Sequence, residues 1–203
     1  MPRPHLIAIA GASGSGKTTL ARRAAAALGP PDAAVLPLDA YYRDRPDATA
    51  DDLEAVNYDA PEAIEVTLLQ AQLVQLRAGR CIERPTYDFR THRRTRATRT
   101  VRPGRHLIVE GILALHWPAL RTLCDTSVFV RIDEKTAFAR RLQRDTRLRA
   151  RSPASVRLQW RTTVWPMFRR YVEPTARFAD LTVDGAAPID ASLTALLTRV
   201  RGE

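Results

Sequence analysis

Residues 11–18, Gly11-Ala12-Ser13-Gly14-Ser15-Gly16-Lys17-Thr18, carry the spacing G-x-x-x-x-G-K-[ST], with Thr19 directly behind. Glycines at these intervals let the backbone curl until successive N–H groups point at one spot, which suits the oxygens of a phosphate chain. A helix opening near Lys17 would add the positive end of its dipole. The Lys17 ammonium would then reach the β- and γ-phosphates of a nucleotide, and the Thr18 hydroxyl would help to hold Mg²⁺. Lys17 and Lys135 are the only lysines among 32 basic residues. This position therefore calls for a compact ammonium on a flexible stem, where a guanidinium fork would not fit.

Such a loop serves GTPases, ATPases and kinases alike. No N-K-x-D guanine-reading motif is present, and the chain is short for a motor or helicase. Carboxylates at strand ends must discriminate, because open α/β sheets place ligands there. Asp39 follows the apolar Val35-Leu36-Pro37-Leu38 and could accept a proton from a hydroxyl attacking the γ-phosphate. Glu110 follows the apolar Leu107-Ile108-Val109 and could anchor Mg²⁺ through water. The alternative for each is a turn or capping carboxylate, and the neighbouring phosphate loop favours the functional reading.

Positioning these groups requires strands that end beside one another. Apolar runs predict strands at His5–Ala10, Ala33–Leu38, His106–Val109, Ser127–Ile132 and Leu181–Val183. Helical patterns predict helices at Lys17–Leu28, Pro61–Ala78, Glu134–Thr146, Pro153–Phe168 and Ile189–Val200, with Gly29 and Gly79 as stop residues. The alternation predicts an α/β fold, a parallel sheet flanked by helices, in one domain spanning 1–203. Between Arg80 and Gly104 short β-branched runs broken by proline predict a β-hairpin insertion.

A net charge of +10 and a pI near 10.7 raise nucleic-acid binding as a rival reading. That would need exposed aromatics between the arginines, and aromatic content is only 6%. Cys81 and Cys124 sit in no metal-ligand spacing and read as reduced thiols; the four histidines are equally scattered. No apolar run reaches the length of a membrane span and no signal-peptide pattern opens the chain, so a cytoplasmic protein is expected.

The segments GASGSGKTT, LDAYYRD, NYDAPEA, RPTYDFRTHRR, VEGIL, RRLQRDTRLRARS and VWPMFRRYVEPTARFAD occur in that order from Gly11 to Asp180. In order and spacing the chain resembles the uridine/cytidine kinase family of P-loop kinases, in its bacterial form. The resemblance implies a P-loop NTPase fold in which the hairpin at 80–104 forms the nucleoside site and an arginine-rich lid covers 147–153. It implies ATP as phosphoryl donor, with GTP an alternative, Mg²⁺, and a homotetramer under feedback control by CTP. It assigns Asp39 as catalytic base, Glu110 as a carboxylate beside Mg²⁺, and Asp59 with Arg141 as holders of the ribose hydroxyls. Tyr87 and His92 would address the pyrimidine with Phe89 packed nearby. Arg151 and Gln159 match further substrate contacts, and Arg144 and Arg149 match lid arginines that neutralise the transferring phosphoryl group.

The remaining arginines, those of Arg90 to Arg105 above all, read as a solvated hairpin face. Kinases of phosphoribulose or pantothenate are the nearer rivals, and the PTYDFRTH segment argues against both. Four departures from the family pattern stand out: Ala60 for a histidine, Arg131 for an aspartate, Ala150 for a glycine, and Val183-Asp184-Gly185 where the family has PRG.

Overall fold

The computed structural model describes residues 3–202. Five strands form one all-parallel sheet: β1 (His5–Gly11), β2 (Ala33–Pro37), β5 (His106–Glu110), β6 (Thr126–Arg131) and β7 (Leu181–Asp184). Their order is β2-β5-β1-β6-β7, so β1 lies at the centre with neighbours that come much later in the chain. From Leu6 onward every residue of β1 is buried, as a strand covered on both faces requires. Leu6, Ala8 and Ala10 face one layer with Leu69, Leu73 and Leu76 of α3 (Val66–Arg77). Ile7 and Ile9 face the other, with Leu20, Ala21 and Ala24 of α1 (Lys17–Leu28) and Leu196 of α8 (Ile189–Arg201).

The hairpin strands β3 (Ile82–Asp88) and β4 (Arg93–Val101) pair only with each other. His92, in the turn between them, has φ 55, a left-handed conformation that a histidine adopts at a cost. Two short helices, α2 (Ala50–Ala55) and α4 (Pro118–Arg121), fall in stretches too brief for periodicity to reveal.

The helix expected at Pro61–Ala78 is interrupted. Pro61–Ala63 form a single tight turn, Ile64 is extended and bridges Tyr42, and only then does α3 begin. The bridge anchors the Asp39 segment, because Glu65 N–H donates to Tyr41 O and Arg43 N–H to Ala63 O, both at 2.8 Å. The strand expected to reach Leu38 stops at Pro37, and Leu38–Tyr41 close into a 3₁₀ turn. Helix α5 (Glu134–Leu148) extends past the expected Thr146, so the first two residues of the expected lid are helical. The helix expected at Pro153–Phe168 begins as α6 (Pro153–Gln159), widens to i→i+5 turns at Trp160–Val164, regains α geometry in α7 (Trp165–Met167), and widens again at Phe168–Val172. Pro166, which lacks an N–H, sits between the two widened turns.

Candidate active site

At the carboxyl ends of the strands lies one cavity of about 1120 Å³. The register sets its floor: Ile9 of β1 and Pro37 of β2 both pair with Glu110 of β5, so the glycine loop, Asp39 and Glu110 emerge side by side. Between β1 and α1 the loop takes φ values of 86° at Gly14 and 97° at Gly16. Gly14 also lies so close to α5 that a methyl group there would strike the Ala137 carbonyl. From the far end of the chain, Gly185 packs against the Ser15 carbonyl in the same way. The loop is thus gripped from both sides, and the Ser15 hydroxyl within it is buried without a partner.

Ser13 to Thr19 line the cavity, whereas Gly11 and Ala12 do not. Gly11 ends β1, and the Ala12 carbonyl accepts a hydrogen bond from Lys17 Nζ at 3.2 Å. Lys17 is 8% exposed. Burial pushes its ammonium pKa down, against the opposing pull of the Glu110 and Asp39 charges. Glu110 is 5% exposed; burial pushes its carboxyl up, against the charge of Lys17. The Thr18 hydroxyl donates to the Glu110 carboxylate, with its oxygens at 3.1 and 3.0 Å. Among the described residues no three histidine, cysteine or carboxylate side chains converge as a metal cage. Mg²⁺ needs no such cage, since it keeps waters and takes substrate phosphates beside one or two protein oxygens. The Thr18–Glu110 pair fits that pattern.

Opposite the loop, Asp59 is buried with Arg141 close enough to oppose the upward push of burial on its carboxyl. Arg141 donates to Ser13 Oγ at 2.9 Å and to Gln159 Oε1 at 2.8 Å, and Arg151 donates to the same Gln159 oxygen at 2.5 Å. Arg151 also donates to His92 Nε2 at 3.2 Å, which places the ring proton on Nδ1. Burial, then the Arg151 charge, pushes the His92 pKa down. His92 Nδ1 and the hydroxyls of Tyr58 and Tyr87 are buried without a protein partner, which leaves them open to a polar ligand. His92 stacks on Tyr58 with centroids 4.8 Å apart, Tyr87 meets Phe89 edge-on at 5.4 Å, and the Arg149 guanidinium lies 4.1 Å over Phe89.

Two groups at this site lie inside the motif segments, yet the sequence alone assigns them no role. Tyr58 supplies the face on which His92 stacks, and Asp145 is 0% exposed among three arginines. Its carboxylate accepts from Arg144 Nε at 2.8 Å and lies 3.3 Å from Arg141 Nε and 3.7 Å from Arg149. An acid four residues after Arg141 and four before Arg149 is the signal the sequence offers for it. The hairpin face is less solvated than expected: Arg94 pairs with Glu65 at 2.7 Å, and Arg93 donates to the carbonyls of Arg45, Pro46 and Ala48. Of the four departures, Ala150 has φ 54, a conformation a glycine would adopt freely.

Known proteins resemble this chain over nearly its whole length. A uridine kinase from Lactobacillus johnsonii is 40% identical over 200 residues, 98% of this chain and 95% of that protein. A uridine kinase from Deinococcus deserti is 41% identical over 199 residues, covering 98% and 96%. Among solved structures, a D-glycerate 3-kinase from Cryptococcus neoformans shares the fold with a TM-score of 0.69 at 16% identity, covering 93% of this chain and 88% of that one. Phosphoribulokinase from Rhodobacter spheroides does so at 0.66 and 15%, covering 90% and 70%. The "Phosphoribulokinase / Uridine kinase family" description matches residues 6–191, and with these relatives at about 40% identity the chain belongs to that family.

Proposed function

We propose that this kinase transfers the γ-phosphoryl group of ATP to the 5′-hydroxyl of uridine or cytidine. The observation that carries this reading is the continuity of one cavity. Its wall holds a phosphate cradle at Lys17 and Thr18, a carboxylate at Asp39, and unpartnered polar groups on an aromatic wall at Tyr87 and His92. Identity of about 40% to curated uridine kinases over nearly the whole chain supports it.

In this mechanism the P-loop N–H groups and Lys17 hold the β- and γ-phosphates. The Thr18 hydroxyl and Glu110 would hold Mg²⁺, which when bound neutralises charge on those oxygens. Asp59 accepts from the ribose hydroxyls while Arg141 donates to them, which fixes the 5′-oxygen in line with the γ-phosphorus. His92 Nδ1–H donates to a carbonyl of the pyrimidine, whose ring packs among Tyr58, Tyr87 and Phe89. As the new O–P bond forms and the bond to the β–γ bridging oxygen breaks, Asp39 takes the hydroxyl proton and ADP leaves. Arg144 and Arg149 face the charge that spreads over the equatorial oxygens.

The test is phosphoryl transfer from ATP·Mg²⁺, and separately from GTP·Mg²⁺, to uridine, cytidine, adenosine, guanosine, thymidine, ribulose 5-phosphate and pantothenate. Selective formation of UMP and CMP is expected. Transfer to another acceptor, or to none, overturns the assignment.

A further inference from the structure

Among the cavity-wall arginines that play no part in that chemistry, two face each other across the hairpin. Strand pairing sets Arg84 of β3 directly opposite Arg99 of β4, and both line the cavity together with Thr86. Residues directly opposite across an antiparallel pair project from the same face, where like charges destabilise the sheet. Three other charged groups of the hairpin are neutralised or satisfied: Arg94 by Glu65, Arg93 by three backbone carbonyls, and Glu83 by the hydroxyls of Thr98 and Thr100. Among the described residues neither Arg84 nor Arg99 has a carboxylate within ion-pair distance. Arg84 is half-buried, and burial weakens its hold on a proton against an opposing pull from Tyr41, with a smaller push from the Arg99 charge. Two arginines set opposite each other on one cavity wall, one half-buried and one exposed, with no carboxylate in ion-pair distance, suit a ligand that supplies the negative charge.

We propose that Arg84 and Arg99 form an oxyanion subsite on the hairpin wall, separate from the P-loop and the lid, which takes the phosphate group of a small phosphorylated molecule. Two opposed guanidinium forks can each offer paired N–H groups to phosphate oxygens, and Thr86 borders them on the same wall. Position inside the cavity favours a small molecule over an extended strand of nucleic acid. A bound dianion removes the repulsion between the pair, so occupancy stabilises the hairpin by linkage.

The test is calorimetric titration of the full chain. A non-hydrolysable imido analogue of ATP with Mg²⁺ is titrated first and kept saturating, which fills the donor end; failure of that titration counts against the donor reading alone. Inorganic pyrophosphate, and in a separate arm ribose 5-phosphate, is then added. One further equivalent of either is expected to bind to the wild type, at least tenfold more weakly to R84Q/R99Q, and without loss to R96Q/R102Q, which removes two exposed arginines of the same hairpin. Binding of only one of the two probes identifies the source of the phosphate group. Without anion, R84Q/R99Q melts at or above the wild-type temperature, and R99Q alone repeats the comparison at an exposed position. Absence of binding by both probes, equal binding by R84Q/R99Q, a lower melting temperature for R99Q, or tighter Arg84- and Arg99-dependent binding of a 20-nucleotide RNA overturns the proposal.

Discussion

Replacing Asp145 with asparagine removes one charge and almost no volume from a carboxylate that three arginines share. Its cost follows from burial. Asp145 is 0% exposed and the Arg141 side chain 7%, whereas Arg144 at 34% and Arg149 at 23% can turn to water. Breaking a buried pair from one side costs about 3–5 kcal/mol, and the two partly exposed partners place this case near about 3. For a chain of this size that corresponds to a fall in melting temperature of about 6–12 °C. Turnover should fall with it, by about a hundredfold, because Arg144 and Arg149 lose their shared anchor and a misplacement of an ångström suffices for that. The KM for ATP should move much less, since the Lys17 and P-loop contacts are untouched. Thermal melts and steady-state kinetics at pH 7.5 read both effects. Acid supplies a second readout. Burial pushes the Asp145 carboxyl up, but the Arg144 hydrogen bond and the charges of Arg144, Arg141 and Arg149 override it, holding the carboxyl below its ordinary range. A depressed folded-state pKa contributes stability that is present above the unfolded value and lost as pH falls through the folded one. The gap between wild type and D145N should therefore close below about pH 4. An unchanged turnover in a D145N protein that melts normally would refute this account of the lid.

Asp39→Asn should lower turnover by about 10²–10⁴ while calorimetry shows ATP binding preserved; normal turnover would remove Asp39 from the role of base. Tyr58→Leu takes away the face beneath His92 and should raise the KM for uridine by about tenfold, with the KM for ATP unchanged, in line with about 1–1.5 kcal/mol for an aromatic pair. Ala150→Gly relieves a left-handed backbone and should stabilise the fold by about 1 kcal/mol in urea titration, and no gain would mean that the lid enforces no strain there.

The glycine loop was legible because its backbone demands particular residues at particular intervals, and the five sheet strands were legible because burial on both faces leaves continuous apolar runs. The break at Ile64 was not. Pro61 is an acceptable first residue of a helix, and what ends the pattern is a bridge to Tyr42, twenty-two positions away and invisible to periodicity. The widened turns after Gln159 keep helical φ and ψ values, so they preserve an apolar stripe and hide from pattern reading. Asp145 stands in the sequence without any assigned role, and only folding shows that its three partners converge from both sides. Tyr58 next to Asp59 likewise acquires meaning only once the hairpin brings His92 over its ring. Local chemistry was thus readable where one segment suffices, and lost where two segments must meet.

Arg149 over Phe89 and Arg151 against His92 join the lid to the hairpin. In the proposed mechanism the groups that face the donor's phosphates and those that face the acceptor's base are therefore one mechanical body. Anything that shifts one set changes the free energy of the other, and such a coupling is necessarily reciprocal. Whatever factor uridine applies to the dissociation constant of the nucleotide, the nucleotide must apply to that of uridine. On the proposed mechanism the full arrangement of the lid then belongs to the ternary complex, because its arginines answer to both halves of the cleft at once.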